Sequence, residues 1–553
     1  MPLRGHKDTR EPARQPWLRR ALPVFAALLC ACEAQPPEAT DELSFEQVAL
    51  TQALTRQWQP PASRAQTACD LGELDSGGLS ADDIDGDGQL DLVVSRIGQP
   101  PQLAFGAGGF TFSVIDLPGP SSSSATAILD LDDDGDLDLL FPAWDAGEHA
   151  FLRNDGGRNF VSVSAAESGL VAGDGFEGSC RGFRSVAAGD ADGDGDLDLY
   201  LTRWAADTIR RQTGQFFENL GSGRFGDRTE AVGLAGAGAV QYNAHWIDLN
   251  GDGANDLLIS GDFSTTRAYL REGGRYRIAT SLGLGTRENG MGSALFDADG
   301  DSRLDWFVSG IVGDPVVCAN GNPLCDGNRL YLADAQGGFT RAERRFGVAD
   351  GGWGWAPIVG DFDLDGDEDL VQTNGYFPPF TAGIDPYLLD LHRGFIADPL
   401  RFWRNAGPAT WRDEGASVGL VLNDETRGGV AADFDADGDL DLVLAVNRDR
   451  PRLFENLLPA GGRSIAIALR QTYPNSAALG AVGLLRDPAG AVVQRSHIGL
   501  NNGYLGTGPA ELRFALPEGG GRAYTVTIVW PDGREQGPLP ATAGRQIIDR
   551  STP

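Results

Sequence analysis

Lysine is all but missing from this chain: of its 45 basic residues, Lys7 is the single lysine and the rest are arginine. That excludes a phosphate-loop lysine and a Schiff-base lysine. Histidine (5), cysteine (6) and methionine (2) are scarce for 553 residues. No His-Glu-x-x-His pair is present, and no cysteine pair has the spacing of a zinc knuckle. No run of 18 apolar residues occurs, so no transmembrane helix is expected. Positive charge is in deficit, 45 basic against 78 acidic residues for a net charge of −33, and such a surface repels phosphate backbones. Nucleic acid is excluded as a partner. Glycine (76) and proline (31) are in excess, more than helical folds tolerate, so turns must be dense. A composition 41% hydrophobic and 22% charged is nevertheless that of a globular protein.

Residues 1–31 read as an export signal: a basic stretch ending in Arg19-Arg20, then the apolar run Ala21 to Ala31, too short to span a bilayer. Leu29-Cys30-Ala31-Cys32 resembles a bacterial lipoprotein box, which implies lipidation of Cys32; plain secretion with cleavage nearby is the alternative. Residues 32–43 are Pro-rich and polar, suited to a tether. The expected location is the outer membrane or cell surface, with periplasmic or secreted protein as the alternative, and the lipid is the only expected membrane contact. In an exported chain Cys318 and Cys325, seven apart around a turn-rich segment, are expected to close a local disulfide. Cys69 and Cys180 are then left to pair across the fold; four free thiols are the alternative.

One acidic pattern recurs seven times, with an acid or amide at loop positions 1, 3, 5 and 9 and generally Gly at position 6. The copies are Asp83, Asp85, Asp87, Asp91; Asp130, Asp132, Asp134, Asp138; Asp190, Asp192, Asp194, Asp198; and Asp248, Asn250, Asp252, Asp256. They continue with Asp297, Asp299, Asp301, Asp305; Asp361, Asp363, Asp365, Asp369; and Asp433, Asp435, Asp437, Asp441. The fourth carries an amide, and the fifth has Ser302 in place of glycine, so these two are expected to be the poorer sites. So many carboxylates within nine residues repel one another, and a compact loop is tenable only if a cation neutralises it. Oxygen ligands at alternate positions with a sharp turn between them fit Ca²⁺, and up to seven ions are expected. Positions 1, 3, 5 and 9 are expected to give side-chain oxygens and position 7 its backbone carbonyl.

An EF-hand is excluded because position 12 never carries the closing Glu and because the flanks are extended, as in Asp439-Leu440-Asp441-Leu442-Val443-Leu444. Each loop is followed by a hairpin signal such as Phe216-Phe217-Glu218-Asn219-Leu220-Gly221. Two strands around the loop and two in the hairpin make a four-stranded unit. These residues resemble the FG-GAP/VCBS repeats of integrin-like proteins, which implies an all-β fold, a seven-bladed β-propeller over residues 44–456 with its calcium loops on one face. Residues 457–553 read as a small all-β domain. Here Asn475 to Val482, Gly503-Tyr504-Leu505-Gly506 and Val529-Trp530-Pro531-Asp532-Gly533-Arg534 resemble the ASPIC/UnbV domain of the cartilage acidic protein family. The arginine usual after Gly480-Ala481 is absent.

No catalytic residue is expected. The one Gly-x-Ser-x-Gly match, Gly415 to Gly419, falls where other repeats have a connector, and Trp530 reads as a core aromatic under a turn. The mature histidines, His149, His245, His392 and His497, lie in different repeats or domains. Long insertions at 170–184, 311–328 and 374–400 are the expected contact surfaces. The resemblance implies a calcium-stabilised adhesion protein binding an extracellular protein or glycan; the alternative is a calcium-dependent surface or periplasmic glycan lyase or hydrolase.

Overall fold

The computed structural model describes residues 43–551 apart from internal stretches, the longest being 56–75, 174–181, 205–213, 313–326 and 377–393. The leader, Cys32 and the four cysteines expected to pair all lie outside the described residues, as does His392.

The apolar runs that leave the acidic loops become strands buried along their whole length, for example Asp198–Arg203 and Asp441–Val446. A strand with no polar face must be covered on both sides, so such strands require stacked sheets. Seven four-stranded antiparallel sheets meet that requirement. The first runs Leu79–Asp82, Asp91–Val94, Gln102–Gly106 and Phe112–Asp116 in chain order. Five more repeat that order within 127–163, 183–227, 241–278, 293–341 and 354–413.

The seventh sheet departs from the rule. Three strands, Thr426–Ala432, Asp441–Val446 and Arg452–Asn456, come from one stretch, and its outer strand, Phe45–Val48, comes from the far end of the described chain. Phe45 pairs with Asn456 and Val48 with Leu453. The Phe45 amide donates to Val418 O at 2.7 Å, and its ring meets Phe362 edge-on at 5.9 Å.

Each consecutive pair of sheets shares one apolar layer. The series also closes on itself, since Val430 and Val443 of the seventh sheet pack with Leu79 and Leu92 of the first. At about 1.5–3 kcal/mol per fully buried large side chain, these layers are the main favourable term in the fold. The arrangement is β-propeller-like, and the only helices among the described residues are the single turns Ala165–Ser168 and Glu343–Phe346.

The C-terminal segment forms two further sheets. Glu511–Ala515, Ser464–Arg470 and Gly544–Asp549 make a three-stranded sheet, the last pair parallel, and Val492–His497, Val482–Arg486, Thr525–Val529 and Glu535–Pro540 make a four-stranded one. Sequence alone reads this segment as a separate domain. Its apolar faces are continuous with the layer between the second and third sheets, Ile467, Leu512 and Val526 lying in one cluster with Leu129, Phe183 and Leu199. Residues Leu43–Pro553 accordingly form one compact unit.

One piece of this segment reaches deep into the ring. Ser293 N donates to Gly503 O at 3.0 Å, Thr126 N to Leu505 O at 3.3 Å, and Ala81 N to Thr507 O at 3.0 Å. Those donors lie on or beside the first strands of the fifth, second and first sheets. Tyr504, fully buried, stacks on Trp355 at 5.8 Å and meets Tyr242 edge-on at 5.6 Å. Glycine is required on either side: a Cβ on Gly503, whose φ is +96°, would stand 2.2 Å from Pro357 O, and one on Gly506 1.7 Å from Leu79 O. Tyr504→Ala should cost about 3–5 kcal/mol in chemical denaturation, because the rings around it cannot collapse into the gap. A loss under about 1 kcal/mol would show that the ring stands without this contact.

Candidate metal-binding loops

Every acidic loop joins the first and second strands of one of the seven sheets, so all seven emerge at the same strand end. Their internal geometry is set by amides. The position-1 carboxylate accepts the position-6 N–H, as in Gly88 to Asp83 at 3.0 Å, Gly195 to Asp190 at 3.1 Å and Gly366 to Asp361 at 2.9 Å. The acceptance needs a left-handed residue at position 6, and those glycines have φ of +88°, +99° and +100°. Ser302 adopts the same turn at φ +67° and donates to Asp297 at 2.7 Å, so the fifth loop closes without its glycine.

Position 9 does more than its place in the pattern reveals. Its carboxylate is buried in all seven loops and clamps two pieces of backbone. One oxygen accepts the loop's position-2 amide, and the other accepts an amide at the end of the third strand. Asp198 takes Ala191 N at 3.0 Å and Asn219 N at 2.8 Å, and Asp441 takes Phe434 N at 3.0 Å and Asn456 N at 3.0 Å. Asp91, Asp138, Asp256, Asp305 and Asp369 repeat the pair. The signal for this role is the Asn that ends the third strand in several repeats, as Asn154, Asn219, Asn405 and Asn456 do.

Two oxygens bound to one Ca²⁺ at about 2.4 Å stand at most about 4.8 Å apart. Carboxylate oxygens within 4.8 Å of one another come from Asp83, Asp85 and Asp87; Asp130, Asp132 and Asp138; and Asp190, Asp192 and Asp194. Asp297, Asp299 and Asp305, and Asp361, Asp363 and Asp365, do the same. The fifth loop, expected to be one of the poorer sites, brings three carboxylates together through positions 1, 3 and 9. The donor chemistry also fits a hard cation, because Asp83 Oδ1, Asp132 Oδ1, Asp299 Oδ1 and Asp433 Oδ1 are buried without a hydrogen-bond partner.

Arginines stand beside several loops, which the sequence pattern does not show. Arg158, from the hairpin of the second sheet, donates to Asp85 at 2.6 Å and lies 3.7 Å from Asp87. Arg404 pairs with Asp363 and Arg303 with Asp301. The C-terminal segment also touches this face: Ser476 Oγ donates to Asp130 at 2.7 Å, Arg495 to Ser302 O at 2.9 Å and Arg463 to Leu364 O at 3.3 Å.

Burial is the chief influence on the position-9 carboxyls, raising Asp91 to about 7, Asp256 to about 6, and Asp138, Asp198, Asp305 and Asp441 to about 8. The clamped amides pull the other way, and neighbouring loop carboxylates add to the rise. Burial likewise lifts Asp132 to about 6, helped by Asp134 and Asp130.

Other residues singled out in the sequence are placed plainly. His149 is a satisfied core residue, its Nδ1 accepting Ala143 N at 3.1 Å and its Nε2 meeting Gln215 at 3.3 Å. His245 Nε2 meets Ser293 O at 3.1 Å, and burial pushes both His245 and its neighbour His497 down to about 4. Ser417 lies in a turn, donating to Glu414 O at 2.8 Å, with no helix after it. Trp530 is buried and donates to Gln536 at 3.2 Å. Of the aromatics in the 374–400 insertion, Tyr376 stacks flat on Trp353 at 4.0 Å, while Phe377, Phe380 and Tyr387 lie outside the described residues.

Comparison with known sequences matches the FG-GAP-like repeat over residues 83–141 and 248–308, each match running from one acidic loop through the next and into the strand that follows it. The chain contains FG-GAP-like repeats. No curated protein matches it in sequence. Among solved structures it is similar to an Agrocybe aegerita lectin that recognises non-reducing terminal N-acetylglucosamine, at 14% identity and TM-score 0.37, covering 70% of this chain and 91% of that one. It is also similar to BBS1N in complex with ARL6DN, at 10% identity and TM-score 0.39, covering 70% and 94%. A third is Bacillus licheniformis rhamnogalacturonan lyase PL11, at 16% identity and TM-score 0.35, covering 80% and 71%. At that level of superposition these likenesses carry nothing about ligand or chemistry.

Two predictions follow from the loop geometry. A carboxyl that keeps its proton to higher pH in the fold than in the unfolded chain stabilises the fold at low pH, and that contribution is lost as pH rises through the folded value. With chelator present, the melting temperature should therefore fall as pH rises through the interval from about 6 to about 8 spanned by Asp256, Asp91 and Asp198. A melting temperature that rises across this interval contradicts the assignment. Separately, Asp198→Ala should cost at least about 2 kcal/mol even in chelator, since two buried amides lose their acceptor. Asp192→Ala should cost stability only when divalent ion is supplied; equal losses in chelator would show that positions 3 and 9 do the same job.

Proposed function

We propose that this protein is an exported, calcium-stabilised, seven-bladed β-propeller that binds an extracellular protein or glycan without transforming it. The observation that carries the calcium element is the set of buried, unpartnered carboxylate oxygens inside loops whose other oxygens are fixed by amides. Ca²⁺, taking six to eight oxygens, would be held by positions 1, 3 and 5, with position 9 adding an oxygen where it joins the group, as Asp138 and Asp305 do. The bound ion supplies positive charge and nothing else. The protein's own residues shape the turn, clamp it to the third strand and relay any gain in order to the sheet.

Seven blades are supported by the seven sheets and by the apolar layer between the seventh and the first. Export and lipidation rest on Arg19-Arg20, the apolar run and Cys32. Among the described residues no helix is long and apolar enough to cross a membrane. The binding role rests on the long connectors at 170–184, 311–328 and 374–400, most of whose length lies outside the described residues; the strands they follow end opposite the acidic loops, and long loops on a rigid scaffold are where binding residues concentrate.

Thermal melting with Ca²⁺ and with excess chelator tests the first element: ions bound only by the native state raise the melting temperature, and identical curves would remove calcium from the account. Incubation with glycan and protein arrays tests the second. Saturable binding with unchanged ligand is the expected result; release of shortened glycan would instead establish the lyase or hydrolase reading.

A further inference from the structure

The seventh loop differs from the other six in one residue's surroundings. Four loops carry Asp at position 7: Asp136, Asp196, Asp367 and Asp439. Asp136 is exposed, and Asp196 and Asp367 are half-buried. Asp439 is only 1% exposed, and neither carboxylate oxygen has a hydrogen-bond partner. Its principal electrostatic neighbours are Asp437, Asp441, Asp435 and Asp433, the carboxylates at positions 5, 9, 3 and 1 of its own loop, so the buried carboxylate stands among them. Asp433 Oδ1 is buried and unpartnered there too. The cation close to Asp433, Arg513, is engaged by Glu511 at 2.8 Å. A carboxylate out of water beside four others, with no donor on either oxygen, is a very costly arrangement unless a cation answers it.

We infer that Asp439 is a side-chain ligand, additional to positions 1, 3, 5 and 9, and that it makes the seventh loop the strongest cation site of the chain. The inference rests on the calcium reading above and extends it to one residue that a repeat pattern does not mark as a ligand. Affinity in oxygen-ligand sites rises with the number of charged ligands and the rigidity of the loop, and Asp439 adds to both. The location gives the site a structural consequence. The seventh loop joins Thr426–Ala432 to Asp441–Val446, two strands of the sheet whose outer strand is Phe45–Val48, so an ion here braces the sheet in which the two ends of the ring meet.

The test compares Asp439→Asn with Asp196→Asn in the full chain, using calcium titration by calorimetry together with melting in Ca²⁺ and in chelator. Asp439→Asn should weaken the tightest binding step by about tenfold or more and shrink the calcium-induced rise in melting temperature. In chelator the same variant should melt no lower than the parent, since it removes an uncompensated buried charge. Asp196→Asn should leave the tightest step unchanged. Should Asp439→Asn fail to fold, Asp439→Ser removes the same charge with a smaller side chain and serves for the comparison. A parent that binds Ca²⁺ while the Asp439 variant matches it step for step overturns this inference alone; a parent that takes up no Ca²⁺ overturns the calcium reading and this inference with it.

Discussion

Mutual repulsion among clustered carboxylates is the constraint around which this molecule is organised. A net charge of −33 is not spread evenly: seven loops each crowd three to six aspartates into nine residues. The fold meets that cost in three ways. Backbone amides solvate the outer oxygens, arginines such as Arg158 and Arg404 neutralise others, and the remainder are buried without a hydrogen-bond partner, where the proposed metal ion would bind. Arginine suits the second task because its planar fork stays charged and binds carboxylate with defined geometry. The near-absence of lysine is consistent with that use.

The loops do not stabilise the ring by charge alone. Each position-9 aspartate ties the loop to the end of its third strand, so order in the loop is order in the sheet. The apolar layers then connect sheet to sheet, and the seventh sheet, built from both ends of the described chain, completes the series. Residues 503–507 reach the first strands from the C-terminal segment, and that segment also contacts the acidic loops through Ser476, Arg463 and Arg495. Loop face, propeller-like sheets and C-terminal sheets thus belong to one compact unit.

Much of this was legible in the sequence, for an identifiable reason. A two-residue spacing of ligands, a glycine at the sharp turn and a buried strand after it are local features, and they located every loop and its flanking strands. The hairpin signals likewise fell where the third and fourth strands stand. What the sequence withheld depends on partners distant along the chain. Nothing in Phe45-Glu46-Gln47-Val48 marks it as the outer strand of a sheet nearly 400 residues away, and nothing in Gly503-Tyr504-Leu505 shows that it enters the ring. The clamp by position 9 escaped because its donors are backbone amides, marked only indirectly by the Asn that ends the third strand in several repeats. Ser302 showed that a missing glycine need not open a loop, and Asp439 that four aspartates at one repeat position can have different surroundings.

The central claim is that divalent ions sit among these carboxylates, and locating the ions tests it most directly. Crystals grown with Ca²⁺, measured at a wavelength where calcium scatters anomalously, should show peaks between positions 1, 3 and 5 of the loops, including one against Asp439. Well-ordered loops with no anomalous peak, their aspartates answered only by water, amides and arginine, would contradict the account.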